Sequence, residues 1–144
     1  MPSTPYYSEL QSDPRLRRVV VASGVAFAVL GELVIFSLDL GLEWRLAGAL
    51  LWALSAAREL YVITDRYKRF RRVRIDATGE VTLQDSDGEW CSAKLLSGSI
   101  VLARFAWLRL APEQGLSYPE PLRGDASENE AWRRFQVIWR HQVT

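Results

Sequence analysis

The chain has 144 residues, enough for one modest domain or for a membrane anchor carrying a small one. A net charge of +1 gives no reason to expect a polyanionic partner. Cys91 is the only cysteine, which excludes an intrachain disulfide, and with His141 the only histidine and close to Thr144, neither a thiolate or imidazole metal centre nor a histidine-dependent triad is expected.

The charge is unevenly spread. Met1 to Arg18 is polar and ends in Arg15, Arg17 and Arg18. From Val19 to Leu38 the single charged residue is Glu32. An apolar run of about 20 residues makes a helix of roughly 30 Å, the thickness of a hydrocarbon core. It lacks the polar stripe of a soluble core helix. It is also too long, and too far from Met1, for a signal peptide, and no small-x-small cleavage site follows it. A second span runs from Arg45 to Ile63, interrupted by Arg58 and Glu59 near its end, where Arg58 can snorkel to the interface. The link from Asp39 to Arg45 is too short for a domain, so the helices are expected to be antiparallel neighbours, with Trp44 as an interfacial aromatic. Gly24 and Ala28 on one helix, and Ala49, Ala53 and Ala57 on the other, are spaced for close packing. Glu32 reads either as a proton or ion site or as a carboxyl hydrogen-bonded to the second helix near Trp52 or Ser55. The structural reading has more support, because no second acid accompanies it in the span.

Arg66, Lys68, Arg69, Arg71, Arg72 and Arg74 follow without an intervening acid. Such a run suits nucleic acid or an anionic membrane surface, and its place beside an apolar helix favours the membrane. With Arg15, Arg17 and Arg18 it puts both termini on the cytoplasmic side by the positive-inside rule. The expected organisation is an N-terminal cytoplasmic segment (1–18), a transmembrane hairpin (19–63, spans 19–38 and 45–63), a basic juxtamembrane segment (64–74) and a cytoplasmic domain (75–144).

In that domain the period changes to two. Val73–Asp76 and Val81–Leu83 flank a short turn containing Gly79, and Asp85 to Gly88 forms a second turn. This second turn lacks the closing glutamate of a calcium loop. Glu89–Leu95 is a third strand, Ile100–Leu110 a long central one, and Gly115–Leu122 an edge strand limited by Pro119 and Pro121. Ser127 and Glu130 read as a capping box for a terminal amphipathic helix. Its Trp132, Phe135 and Trp139 face packs on the sheet or, with Arg133 and Arg134, meets a partner. The expected fold class is thus an α+β membrane protein: an N-terminal two-helix transmembrane hairpin, a small antiparallel β-domain of four to five strands and a C-terminal amphipathic helix. No spacing assembles an acid–base pair or an activated nucleophile, so neither enzyme activity nor a cofactor is expected.

This order of elements resembles the YgfX (CptA) family over nearly the whole chain after Tyr7. The resemblance rests on the hairpin followed by a tryptophan (Ile75-Asp76, Gly79-Glu80-Val81, then Glu89-Trp90). It also rests on the closing motif of Asp125-Ala126-Ser127, Arg133-Arg134-Phe135, Val137 and Arg140. Ala77-Thr78 stands where family members more often carry Asp-Gly. The resemblance implies a bacterial inner-membrane protein, the toxin of a toxin–antitoxin pair. It implies an SdhE-like soluble partner and, as further targets, the polymers FtsZ and MreB. The alternative is an accessory or scaffold subunit of a larger membrane complex, held through its hairpin.

Overall fold

The computed structural model describes residues 6–143. The first five residues of the expected N-terminal segment and Thr144 of the expected domain lie outside the described residues. The first element among the described residues is a strand that sequence reading did not place: β1, Tyr7–Gln11. Asp13 then caps α1 (Pro14–Ser37), its carboxylate accepting from the Arg15 N–H at 2.8 Å, with Pro14 in the first turn, where its missing N–H costs nothing. After a short turn α2 (Leu42–Arg69) returns and passes directly into β2 (Phe70–Asp76). The 64–74 stretch is therefore not a separate segment, because helix continues to Arg69 and strand starts at Phe70.

β1 and β2 pair antiparallel, from Tyr7 opposite Asp76 to Gln11 opposite Arg72, and Ser12 N–H continues the ladder to the Arg71 carbonyl. The helical hairpin is thus an insertion between two neighbouring strands of one sheet. At 1.5 Å per residue its arms are about 36 and 42 Å long, and both are long and apolar enough to cross a membrane. They pack closely at glycines: Leu60 lies over Gly24, Trp52 over Gly31, and Ile35 over Gly48. Ala49 is buried there, but Ala53 and Ala57 are exposed, and the second face runs instead through Trp52, Ala56 and Leu60. The outward sides are bare: Phe27, Leu33, Leu51 and Trp44 are 61–74% exposed.

The sheet continues with β3 (Val81–Asp85), β4 (Trp90–Leu95), β5 (Ile100–Val101), β6 (Phe105–Pro112) and β7 (Tyr118–Arg123). The expected long strand from Ile100 to Leu110 is two strands, folded back where Leu102 N–H reaches the Phe105 carbonyl. All pairings are antiparallel, in the order β1-β2-β3-β4-β6-β5, with β7 also on β6. Seven strands among the described residues replace the four to five expected. Gly79 and Gly88 supply the positive φ of the two tight turns (85° and 88°).

α3 (Glu130–Val143) crosses the concave face. Ser8 Oγ of β1 donates to the Ala131 carbonyl, while Trp132 Nε1 donates to the Ala103 carbonyl between β5 and β6. One helix therefore bonds both to the first strand and to the far end of the sheet, which requires the sheet to curl around it. The core consists of inward alternating residues, such as Val73, Ile75, Leu83, Leu108 and Leu122, closed by Trp132 and Phe135.

Gly124 packs against the buried Trp132 indole, where a Cβ would overlap the ring. Gly124→Ala is expected to cost about 1–3 kcal/mol through overpacking. Gly48→Ala, which meets Ile35 at an ordinary 3.6 Å, is expected to be nearly neutral. Thermal unfolding in detergent, followed by tryptophan fluorescence, compares the two.

Candidate functional site

The helices leave the sheet through a buried polar junction. Arg17, one turn into α1, is 9% exposed, and Glu120 on β7 is 0% exposed. Arg17 Nε and Nη2 hold the Glu120 carboxylate in a fork at 3.1 and 2.7 Å. Nη1 donates to the Tyr67 carbonyl at 2.6 Å, and Nη2 also reaches the Phe70 carbonyl and Ser12 Oγ, each at 2.8 Å. The guanidinium lies over the Tyr67 ring, 4.7 Å from its centroid, and the Tyr67 hydroxyl donates to the Pro119 carbonyl at 2.7 Å. Burial pushes the Glu120 carboxyl above the usual carboxylate range, and its bonds to Arg17 and Ser12 offset only part of that rise. Arg17, expected at the membrane surface, is thus a buried structural cation. Sequence reading missed Glu120, although Tyr118, Glu120 and Leu122 share one face of a strand, and a carboxylate on an apolar face needs a cation.

The structure sorts the other basic residues. A bulge at Arg71 separates the pairs Phe70–Asp85 and Arg72–Gln84. The extra residue lets both Phe70 and Val73 face inward and leaves Arg71 and Arg72 outward. Arg69 pairs with Asp85 at 3.1 Å, and Arg72 and Arg74 pair with Glu9 at 2.8 and 3.3 Å. Arg74 also lies over the rings of Tyr7 and Trp90. Arg66 packs on the Gly115 backbone. Arg15, Arg18, Lys68 and Arg71 are exposed, and among the described residues their side chains have no hydrogen bond or ion pair. Trp44 lies at the opposite end of the hairpin, where Arg45 and Asp39 approach to 4.0 Å.

Glu32 is half-buried along α1. It is bonded neither to Trp52, whose Nε1 donates to the Ala28 carbonyl, nor to Ser55, whose hydroxyl donates to the Leu51 carbonyl. In the Asp85–Gly88 turn the Asp85 carboxylate accepts from the Ser86 N–H and hydroxyl and from Arg69. Among the described residues no three His, Cys, Asp or Glu side chains gather as metal ligands.

On α3, Trp132 and Phe135 are wholly buried and belong to the core rather than to a docking stripe. Arg133 and Arg134 are exposed, and Arg134 pairs with Glu130. The helix starts at Glu130 because the Asn129 side chain caps it, accepting from the Ala131 and Trp132 N–H groups. Ser127 instead donates, through its N–H and hydroxyl, to Asp125 in the preceding turn, so the expected capping box does not form. Half-buried Trp139 lines a cleft of about 650 Å³ with Ile75, Val81, Ala93, Leu95 and Ile138, edged by Glu80, Lys94 and Glu113. Its size and largely apolar floor suit a bound side chain or short segment.

Comparison with known proteins finds no matching family model, no similar curated protein and no similar solved structure. The YgfX-like reading accordingly rests on the order of elements and motifs alone.

The Arg17–Glu120 pair is expected to behave as a coupled unit. Either Arg17→Met or Glu120→Leu strands a buried partner and costs about 3–5 kcal/mol. The double variant costs less than the sum of the two, since neither charge is then left unpaired. Denaturant titration of the four proteins in one detergent measures the coupling, and additive losses would contradict it.

Proposed function

We propose that the protein is a membrane-anchored interaction module. In this reading α1 and α2 cross the bilayer, and the sheet with α3 lies on the cytoplasmic side. The cleft beside Trp139 receives a soluble protein. The observation that carries it is the bare apolar surface on the outward sides of two long antiparallel helices fastened to a folded domain. Water is a poor solvent for so large an apolar patch, and lipid is a good one. The orientation is supported by the unpaired Arg15, Arg18, Lys68 and Arg71 at the domain end, whereas the far end has Arg45 beside Asp39 and Glu43. By resemblance to the YgfX family, an SdhE-like protein of the same cell is the partner to test first, with FtsZ and MreB second. The proposal gives the chain no catalysis of its own.

Two measurements test it. In a Cys91→Ser background, a cysteine placed at Gly41 should react with a membrane-impermeant maleimide in intact spheroplasts, while native Cys91 should react only after lysis. Purified full-length protein should bind the SdhE-like protein, and Trp139→Ala should weaken that binding roughly tenfold or more, as for a tryptophan anchoring an interface. Absence of binding, or indifference to Trp139→Ala, would remove the partner assignment.

The half-buried Glu32, without a partner among the described residues, favours a second reading as an accessory subunit of a membrane complex. A carboxyl in a bilayer requires a polar neighbour, and a helix from another protein can supply it. Under that reading Glu32→Leu abolishes co-purification of a membrane partner in mild detergent and leaves binding of the soluble protein intact.

A further inference from the structure

Beside the Arg17 junction, a cleft of about 420 Å³ opens between the start of α1 and the passage from α2 into β2. Gln11, Ser12, Pro14, Tyr67, Lys68 and Arg71 line it, with Arg17 on its inner wall. Lys68 and Arg71 stand exposed on it, and neither has an acid within ion-pair distance among the described residues. This contrasts with their neighbours Arg69, Arg72 and Arg74, each of which meets an acid of the domain. The bulge at Arg71 is what keeps that side chain outward and out of the Glu9 ladder. Of the nearby acids, Asp13 is committed to capping α1, and Asp65 lies toward Arg69. The cleft sits where the apolar surface of the helices gives way to the folded domain, and Arg15 and Arg18 add charge on the same helix end.

We propose that this cleft binds the phosphodiester headgroup of an anionic phospholipid, with Lys68 and Arg71 as its two cations. The inference rests on the membrane-spanning reading, which puts the cleft at headgroup depth. An ammonium and a guanidinium lining one cleft suit a phosphate, and Gln11 lines the same cleft as a neutral polar residue. The headgroup thereby fixes the depth and tilt of the domain on the bilayer.

Full-length protein in a non-ionic detergent is titrated with short-chain phosphatidylglycerol, short-chain phosphatidylcholine and inorganic phosphate, and bound lipid is read by native mass spectrometry. Phosphatidylglycerol is expected to bind at least about tenfold more tightly than phosphatidylcholine. Lys68→Gln/Arg71→Gln is expected to lose roughly ten- to thirtyfold of that affinity, the attraction of two basic groups for an anionic headgroup. Lys68→Arg/Arg71→Lys should restore binding, and the charge-matched Arg104→Gln/Arg109→Gln, outside the cleft, should not change it. Equal binding of the two lipids overturns the proposal, as does an equal loss in both glutamine pairs, which would mean diffuse attraction. Displacement of phosphatidylglycerol by low-millimolar inorganic phosphate would assign the cleft to the free ion and overturn the lipid. Maleimide labelling at Gly41 separates this from the spanning reading: outside labelling with no lipid preference sinks only the headgroup site.

Discussion

The arrangement of the molecule depends on one buried guanidinium. Arg17 belongs to α1, its carboxylate partner to β7, and its two carbonyl acceptors, Tyr67 and Phe70, to the end of α2 and the first residue of β2. The start of α1, the passage from α2 into β2, and β7, three places far apart in sequence, are therefore fixed relative to one another by a single planar group. A lysine could not do this, because its three donors lack the fork that holds a carboxylate at two oxygens while reaching further acceptors. A buried ion pair is poor evidence of net stability, since desolvation offsets most of the Coulomb gain. Its contribution here is geometric. The pair sets where the helical hairpin leaves the sheet, and it joins the end of β1 to β7, the two edges of the curl.

Once that junction is fixed, the basic stretch after α2 divides. Residues whose backbone turns toward the domain find acids or packing there, as Arg69 does with Asp85 and Arg66 does with Gly115. The bulge at Arg71 decides the rest, because two consecutive outward residues cannot both follow strict alternation. Charge that looks uniform along the sequence is thus spent partly on the fold and partly left at the surface. Under the membrane-spanning proposal, the surface role expected for the whole run falls to the portion left over.

The hairpin, most of the strands and the terminal helix were legible because their signals are local: an apolar run, period-two alternation, a glycine in a tight turn. β1 was not, since Tyr7–Gln11 is five residues long and is held by a partner strand that begins at Phe70. Nothing near it in sequence announces the pairing. The start of α3 was misplaced because Ser127 and Asn129 are both good caps, and Asp125 had already taken Ser127. The stripe of Trp132, Phe135 and Trp139 gave the correct face but not its depth: the curl buries the first two and leaves the third at the mouth of the cleft. Glu120 was the legible residue that went unread, as an acid between two apolar residues of one strand face.

The insertion of the hairpin between paired strands has a mechanical consequence. A domain on a flexible linker samples many orientations, and its binding face is presented only part of the time. Here α1 follows β1 after Ser12 and Asp13, and β1 holds α3 through the bond from Ser8 to the Ala131 carbonyl. The helix that carries Trp139 is therefore one strand removed from the hairpin, with no linker between them. If the hairpin spans the bilayer as proposed, the cleft has a fixed height and direction relative to the membrane. A partner then meets it already oriented, and the ordering cost of binding falls.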